Sequence, residues 1–113
     1  KDEIPSVIFD EIDTGISGRI AQCVGEKMYK VSLCHQVFCV THLPQIASIS
    51  DVHYLVSKEI VREKTFTTVK RLSKEEKELE VAKMIGTSEV TKITLEHARE
   101  LIKMSDAKKR IKN

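Results

Sequence analysis

Apolar and polar positions change period several times along the chain, and each change marks a predicted element. Val7, Ile8 and Phe9 form an apolar run too short for a helix, which suits a strand covered on both faces as in parallel sheets. Pro5 stands just ahead of it, where a missing N–H is tolerated. From Ser17, a suitable N-cap, the residues Ile20, Ala21, Val24, Met28 and Val31 recur at helical spacing, and this predicts a helix to about Val31. Gln36 to Thr41 is a second covered strand, rich in β-branched and aromatic residues, so strand, helix and strand make a right-handed βαβ unit. Pro44 to Ser50 reads as a short helix with proline in its first turn. Val52–Val61 and Thr65–Leu72 read as a strand pair, although Arg62-Glu63-Lys64 between them has neither Gly nor Asn.

Beyond the strand pair the period returns to that of a helix. Ser73 and Glu76 form a capping-box pattern ahead of Leu79, Val81, Ala82, Met84 and Ile85, and Gly86 suits the position just past the helix end. A last helix from about Ser88 carries Val90, Ile93, Ala98, Leu101, Ile102 and Met104 on one stripe, with His97 near it as a packed or half-exposed imidazole.

Composition narrows the class. A chain of 113 residues is one domain or part of one, and 41% hydrophobic with 32% charged residues is ordinary globular usage. Its net charge of +2 is too small to imply nucleic-acid binding by itself. No apolar run approaches a membrane span, and Lys1 begins no signal peptide, so the expectation is a cytoplasmic segment cut from something longer, with no membrane partner. Cys23, Cys34 and Cys39 are odd in number and form no CxxC pair, which makes reduced thiols the default. A zinc site from Cys34, His35, Cys39 and His42 is the less favoured reading, because Cys39 lies within an apolar run. The run Lys108-Lys109-Arg110-Ile111-Lys112 could touch phosphates, but such tails are more often solvated and frayed.

The candidate chemistry lies at the end of the first strand. Asp10 and Glu11 stand at its carboxyl end, the edge where open α/β sheets bind ligands, and as strand neighbours they point to opposite faces. Two roles are implied, not one clamp. A carboxylate there is costly to desolvate without a cation or donors, and a metal ion removes that difficulty. In phosphate-handling sites a strand-end Asp helps hold Mg²⁺, and the next acid can orient or deprotonate the attacking water, worth roughly 10²–10⁴ in rate. The plainer reading is that both acids begin a turn and cap the next helix. Parallel strands would bring His42 to the same edge, and Pro44 keeps the backbone at Leu43 out of helical geometry. On its own, His42 could equally be a surface residue at a strand end.

Longer stretches carry a resemblance. Ile12-Asp13-Thr14-Gly15-Ile16-Ser17-Gly18 directly after the acids resembles the D-loop of ABC-type and SMC-type ATPases, and Val40-Thr41-His42-Leu43-Pro44-Gln45-Ile46-Ala47 resembles their switch-histidine loop, in matching order and spacing. Within that superfamily the two phrases are similar to the RecN family of bacterial DNA repair and recombination proteins. The resemblance implies a fold class: an α/β, partial P-loop NTPase head of ABC/SMC type with a parallel βαβ core, a β-hairpin and C-terminal helices. Residues 1–113 would be the C-terminal part of such a head, with 1–52 the core, 53–72 the strand pair and 73–113 the closing helices. It also implies roles: Asp10 on Mg²⁺, Glu11 on the water, His42 on the γ-phosphate of ATP, Asp13 and Gly15 in the D-loop bridge to the second head of a homodimer, and Gln45 as a further nucleotide contact.

No GxxxxGK[ST] phosphate loop and no Ser-Gly-Gly signature occur in these residues, so the chain alone is expected to lack ATPase activity. The resemblance implies a full-length ATPase acting on DNA in double-strand-break repair, cytoplasmic and nucleoid-associated. The alternatives are another SMC-like or ABC-type head and a non-catalytic α/β interaction module.

Overall fold

The computed structural model describes residues 6–10, 18–86 and 89–109. Its architecture is α/β with small sheets. Strand β1 (Ser6–Asp10) pairs in parallel with β2 (Gln36–Val40), and helix α1 (Gly18–Ser32) makes the crossover. A one-turn helix α2 (Pro44–Ala47) follows, then the antiparallel pair β3 (Tyr54–Val61) and β4 (Lys64–Arg71), and finally helices α3 (Lys74–Ile85) and α4 (Lys92–Lys109). The expected N-cap Ser17, the lead-in through Pro5 and residues 110–112 of the basic run lie outside the described residues.

The parallel strands differ from expectation in being covered on one face only. Val7, Phe9, Val37 and Cys39 are half-buried, whereas the alternate residues Ile8, Phe38 and Val40 are exposed, Ile8 at 71%. The covered face rests on α1 and α2, where Phe9, Cys39, Val24 and Leu43 pack against buried Ala21, Met28 and Ile46. Among the described residues no element lies over the other face. Alternation of side chains in a strand then leaves every second apolar residue in water.

Close approach fixes α2 against α1. A Cβ on Gly25 would stand 3.3 Å from Ile49 Cγ2, a tight contact, and 3.6 Å from the Gln45 carbonyl oxygen, so glycine eases the close approach of the two segments. A second core gathers Ala47, Val81, Ala82, Ala98 and Ile102 from α2, α3 and α4. Ile46 thus belongs to one cluster and Ala47 to the other, and α2 joins the sheet half to the helical half. Beneath it, fully buried Ser48 donates to the Gln45 carbonyl at 3.1 Å and meets Ser105 Oγ at 3.2 Å.

The strand pair projects. Apart from half-buried Leu55, all its residues are exposed, and the chain's radius of gyration of 15.2 Å exceeds the roughly 13 Å of a compact ~100-residue domain. Arg62 and Glu63 turn the hairpin, with φ of 52° and 66°. Two consecutive positive φ values are the type I′ signature, reached here without Asn or Gly.

Both closing helices are capped by reciprocal side-chain bonds. Ser73 Oγ accepts from the Glu76 amide at 3.2 Å while Glu76 Oε1 accepts from the Ser73 amide at 2.9 Å, the expected capping box. The last helix begins at Lys92, later than the expected Ser88, because Thr91 and Thr94 cap each other: the Thr94 amide donates to Thr91 Oγ1 at 3.1 Å and the Thr91 amide to Thr94 Oγ1 at 2.8 Å. Gly86 ends α3 at φ −100°, not in left-handed geometry. Its lack of a side chain serves proximity instead, since a Cβ would come within 2.9 Å of Thr94 Cγ2. On α4, Ile93 is 77% exposed and His97 is exposed, so the buried stripe runs through Ala98 and Ile102, not through every predicted apolar position.

Candidate functional site

The carboxyl rim of the parallel pair assembles from register alone. Asp10 lies opposite Val40, so the carboxyl ends of β1 and β2 stand side by side. His42, two positions beyond Val40, is exposed at that rim. Glu11, Asp13 and Gly15 lie outside the described residues, and Asp10 is placed by its backbone. Of the six site residues expected from the sequence, the fold brings together Asp10, His42 and Gln45 around the ends of β1 and β2.

Local bonds hold the turn that carries His42. Thr41 Oγ1 accepts from the Leu43 amide at 3.0 Å, bridging across His42. Leu43 is extended, with φ −94° and ψ 123°, as the residue before a proline prefers. Its carbonyl then accepts from the Ile46 and Ala47 amides at 3.1 and 3.0 Å, starting α2. Because Ile46 and Ala47 are anchored in two cores, the His42 turn sits on a fixed base while the imidazole itself faces solvent.

Gln45 points the other way along the rim. Its side chain is half-buried and lies over the start of α1, where a Cβ on Gly18 would stand 2.8 Å from Gln45 Nε2. A Mg²⁺ ion takes one or two protein carboxylates and completes its shell with water and phosphate oxygens. A single strand-end carboxylate such as Asp10 fits that requirement. Among the described residues no three His, Cys, Asp or Glu side chains converge into an all-protein metal cage.

Comparison with known proteins identifies what the rim belongs to. No established family profile matches the chain. It is 51% identical over 104 residues to the DNA repair protein RecN of Bacillus subtilis, which covers 92% of the chain. It is 47% identical over 102 residues to RecN of Halalkalibacterium halodurans and 45% over 98 residues to RecN of Rickettsia conorii, covering 90% and 87% of the chain. The chain belongs to the RecN family. It spans 18% of the length of each of these relatives, which are DNA repair proteins, so it corresponds to one part of a RecN protein. No helix among the described residues is long and apolar enough to cross a membrane.

Two features of this RecN segment escape local sequence reading. Thr41 acts as a brace, though β-branching alone suggested only a strand residue. The start of the basic run is not a solvated tail: Lys108 pairs with Glu26 at 3.0 Å, and Lys109, its side chain 14% exposed, pairs with Asp51 at 2.8 Å and lies 5.4 Å over the Tyr29 ring. Acidic partners at Glu26 and Asp51 were the available signal, but their distance along the chain hides the pairing.

Proposed function

We propose that this segment is the part of an ABC/SMC-type ATPase head that acts on the γ-phosphate of ATP, within a homodimeric RecN protein that works on DNA in double-strand-break repair. The observation that carries the reading is the in-register parallel pairing of β1 with β2, which sets Asp10 and the His42 turn on one rim. A P-loop NTPase assignment is supported by that rim, by the covered face under it and by the relatives' identity.

Each residue then has a task. Asp10 would hold Mg²⁺, which when bound offsets charge on the phosphate oxygens. Glu11, the next residue in the sequence, would orient the attacking water and take its proton. His42 would donate to the γ-phosphate from its braced turn. Asp13 and Gly15 would reach the second head, and Gln45 would tie their segment to the His42 turn. Catalysis of this kind rests on positioning and charge stabilisation. The phosphate loop and its lysine must come from elsewhere in the full-length protein, so the segment alone is expected not to hydrolyse ATP.

The test is Glu11→Gln in full-length protein, with single-turnover hydrolysis and ATP binding followed separately. Hydrolysis should fall by roughly 10²–10⁴ with binding retained, as expected for loss of a general base. Unchanged hydrolysis would remove Glu11 from the chemistry.

A further inference from the structure

Away from Asp10, His42 and Gln45, a cavity of about 540 Å³ opens between the turn before β3, the start of α3 and the end of α4. Its walls carry Lys74 and Lys77 from α3, Asp106 and Lys109 from α4, and Asp51 and His53 from the turn. Two ammonium groups converge on one neutral oxygen: Lys77 Nζ donates to the Ser50 carbonyl at 2.7 Å and Lys109 Nζ to the same oxygen at 3.4 Å. The carboxylates serve Lys109, Asp51 at 2.8 Å and Asp106 at 3.9 Å. Among the described residues no carboxylate lies within ion-pair distance of Lys77 or Lys74.

The cavity therefore holds positive charge in excess of its partners. Burial, and then the charge of Lys109, push Lys77 down to about 8 from its ordinary 10.5, with Asp106 and Asp51 opposing in part. His53 is held below its ordinary value by burial and then by Lys77, against Glu80. Its Nδ1 is buried without a hydrogen-bond partner among the described residues. An ammonium has three donors, and Lys77 spends one on Ser50.

We propose that this cavity is a phosphate-binding site, in which an oxyanion of the phosphate class, terminal or as a phosphodiester, sits against Lys74 and Lys77 with His53 beside it. Several oxygens on one centre match donors arriving from different elements, which a chloride cannot do, and the volume leaves room for the body that carries the phosphate. An anion seated here raises Lys77 toward its ordinary value, so binding strengthens as pH falls through about 8. The other charged or titratable groups facing Lys77 are Lys74, Lys109, Asp51, Asp106 and His53, with Glu80 behind it. No residue of the cavity belongs to the proposed nucleotide rim, and the two readings stand or fall separately.

The test is lysine acylation of full-length protein at pH 8, read by peptide mass spectrometry, in inorganic phosphate against chloride at equal ionic strength, with exposed Lys58 on β3 as the internal reference. At phosphate about four times its Kd, acylation of Lys77 should slow about fivefold relative to Lys58. Lys74→Glu, at an exposed position where a carboxylate suits the helix start, should abolish that protection. A short DNA duplex in place of phosphate sorts the source: protection by both assigns the site to phosphodiesters, and protection by phosphate alone assigns it to a terminal phosphate. An unchanged ratio of Lys77 to Lys58 acylation between phosphate and chloride, or undiminished protection in Lys74→Glu, would overturn the proposal.

Discussion

His42 is useful only if its imidazole stays where a phosphate can meet it, and an exposed side chain has no packing to keep it there. The constraint is applied one residue earlier, through the Thr41 Oγ1 bond to the Leu43 amide. Thr41→Val keeps the shape of the side chain and removes the acceptor. It should cost about 1 kcal/mol of stability and lower single-turnover hydrolysis in the full-length protein, while Thr41→Ser keeps both near wild type. Equal hydrolysis by the Val and Ser variants would show that the hydroxyl does not position the turn. The identities of Asp10 and His42 as candidates were legible, because a strand-end acid and a histidine ahead of Leu-Pro are local patterns. The brace at Thr41 and the placing of Gln45 over the bare Cα of Gly18 were not, since each depends on which segments the fold brings together.

Elements were legible where the signal was short in range. The capping box at Ser73, the strand pair and the run of α1 follow from residues a few positions apart. Their boundaries moved where a competing local bond intervened, as at Thr91, and the α1–α2 crossing was hidden because Gly25 meets a helix beyond the next strand. Gly25→Ala tests that crossing. Alanine gains about 1 kcal/mol of helix propensity, but its Cβ at 3.3 Å from Ile49 Cγ2 overpacks a buried site, typically 1–3 kcal/mol. The net outcome expected in denaturant unfolding is a loss of about 1 kcal/mol, and a gain would mean the two helices can separate freely. The capping box carries a pH dependence as well. The hydrogen bond from Lys70 at 2.6 Å, then that from the Ser73 amide, push Glu76 down to about 2 from 4.5. A carboxylate lowered in the folded state contributes fully above about 4.5, and that contribution fades as pH falls toward 2. The protection of amides at the start of α3, relative to their intrinsic exchange rates, should therefore drop over that window in the wild type and show no such step in Glu76→Gln. The same step in both would assign it to another group.

At the scale of the molecule, α2 ties the two halves together: its four residues set one side chain into the sheet's cluster and the next into the helical cluster. That position makes the His42 turn a report on both halves. The sequence pattern anticipated strands covered twice, and the exposed face of Ile8, Phe38 and Val40 follows from having helices on one side only among the described residues. A continuous apolar run says that a strand can be buried on both faces, not which segment will cover it. The account's central claim is that the rim of β1 and β2 meets the γ-phosphate. It is tested most directly by single-turnover ATP hydrolysis in full-length protein carrying His42→Ala, set beside His97→Ala on the exposed surface of α4. The account predicts a loss of about 10²–10³ for His42→Ala, the cost of removing one preorganised donor, and a rate within about twofold of wild type for His97→Ala. Equal rates in the two variants would contradict it.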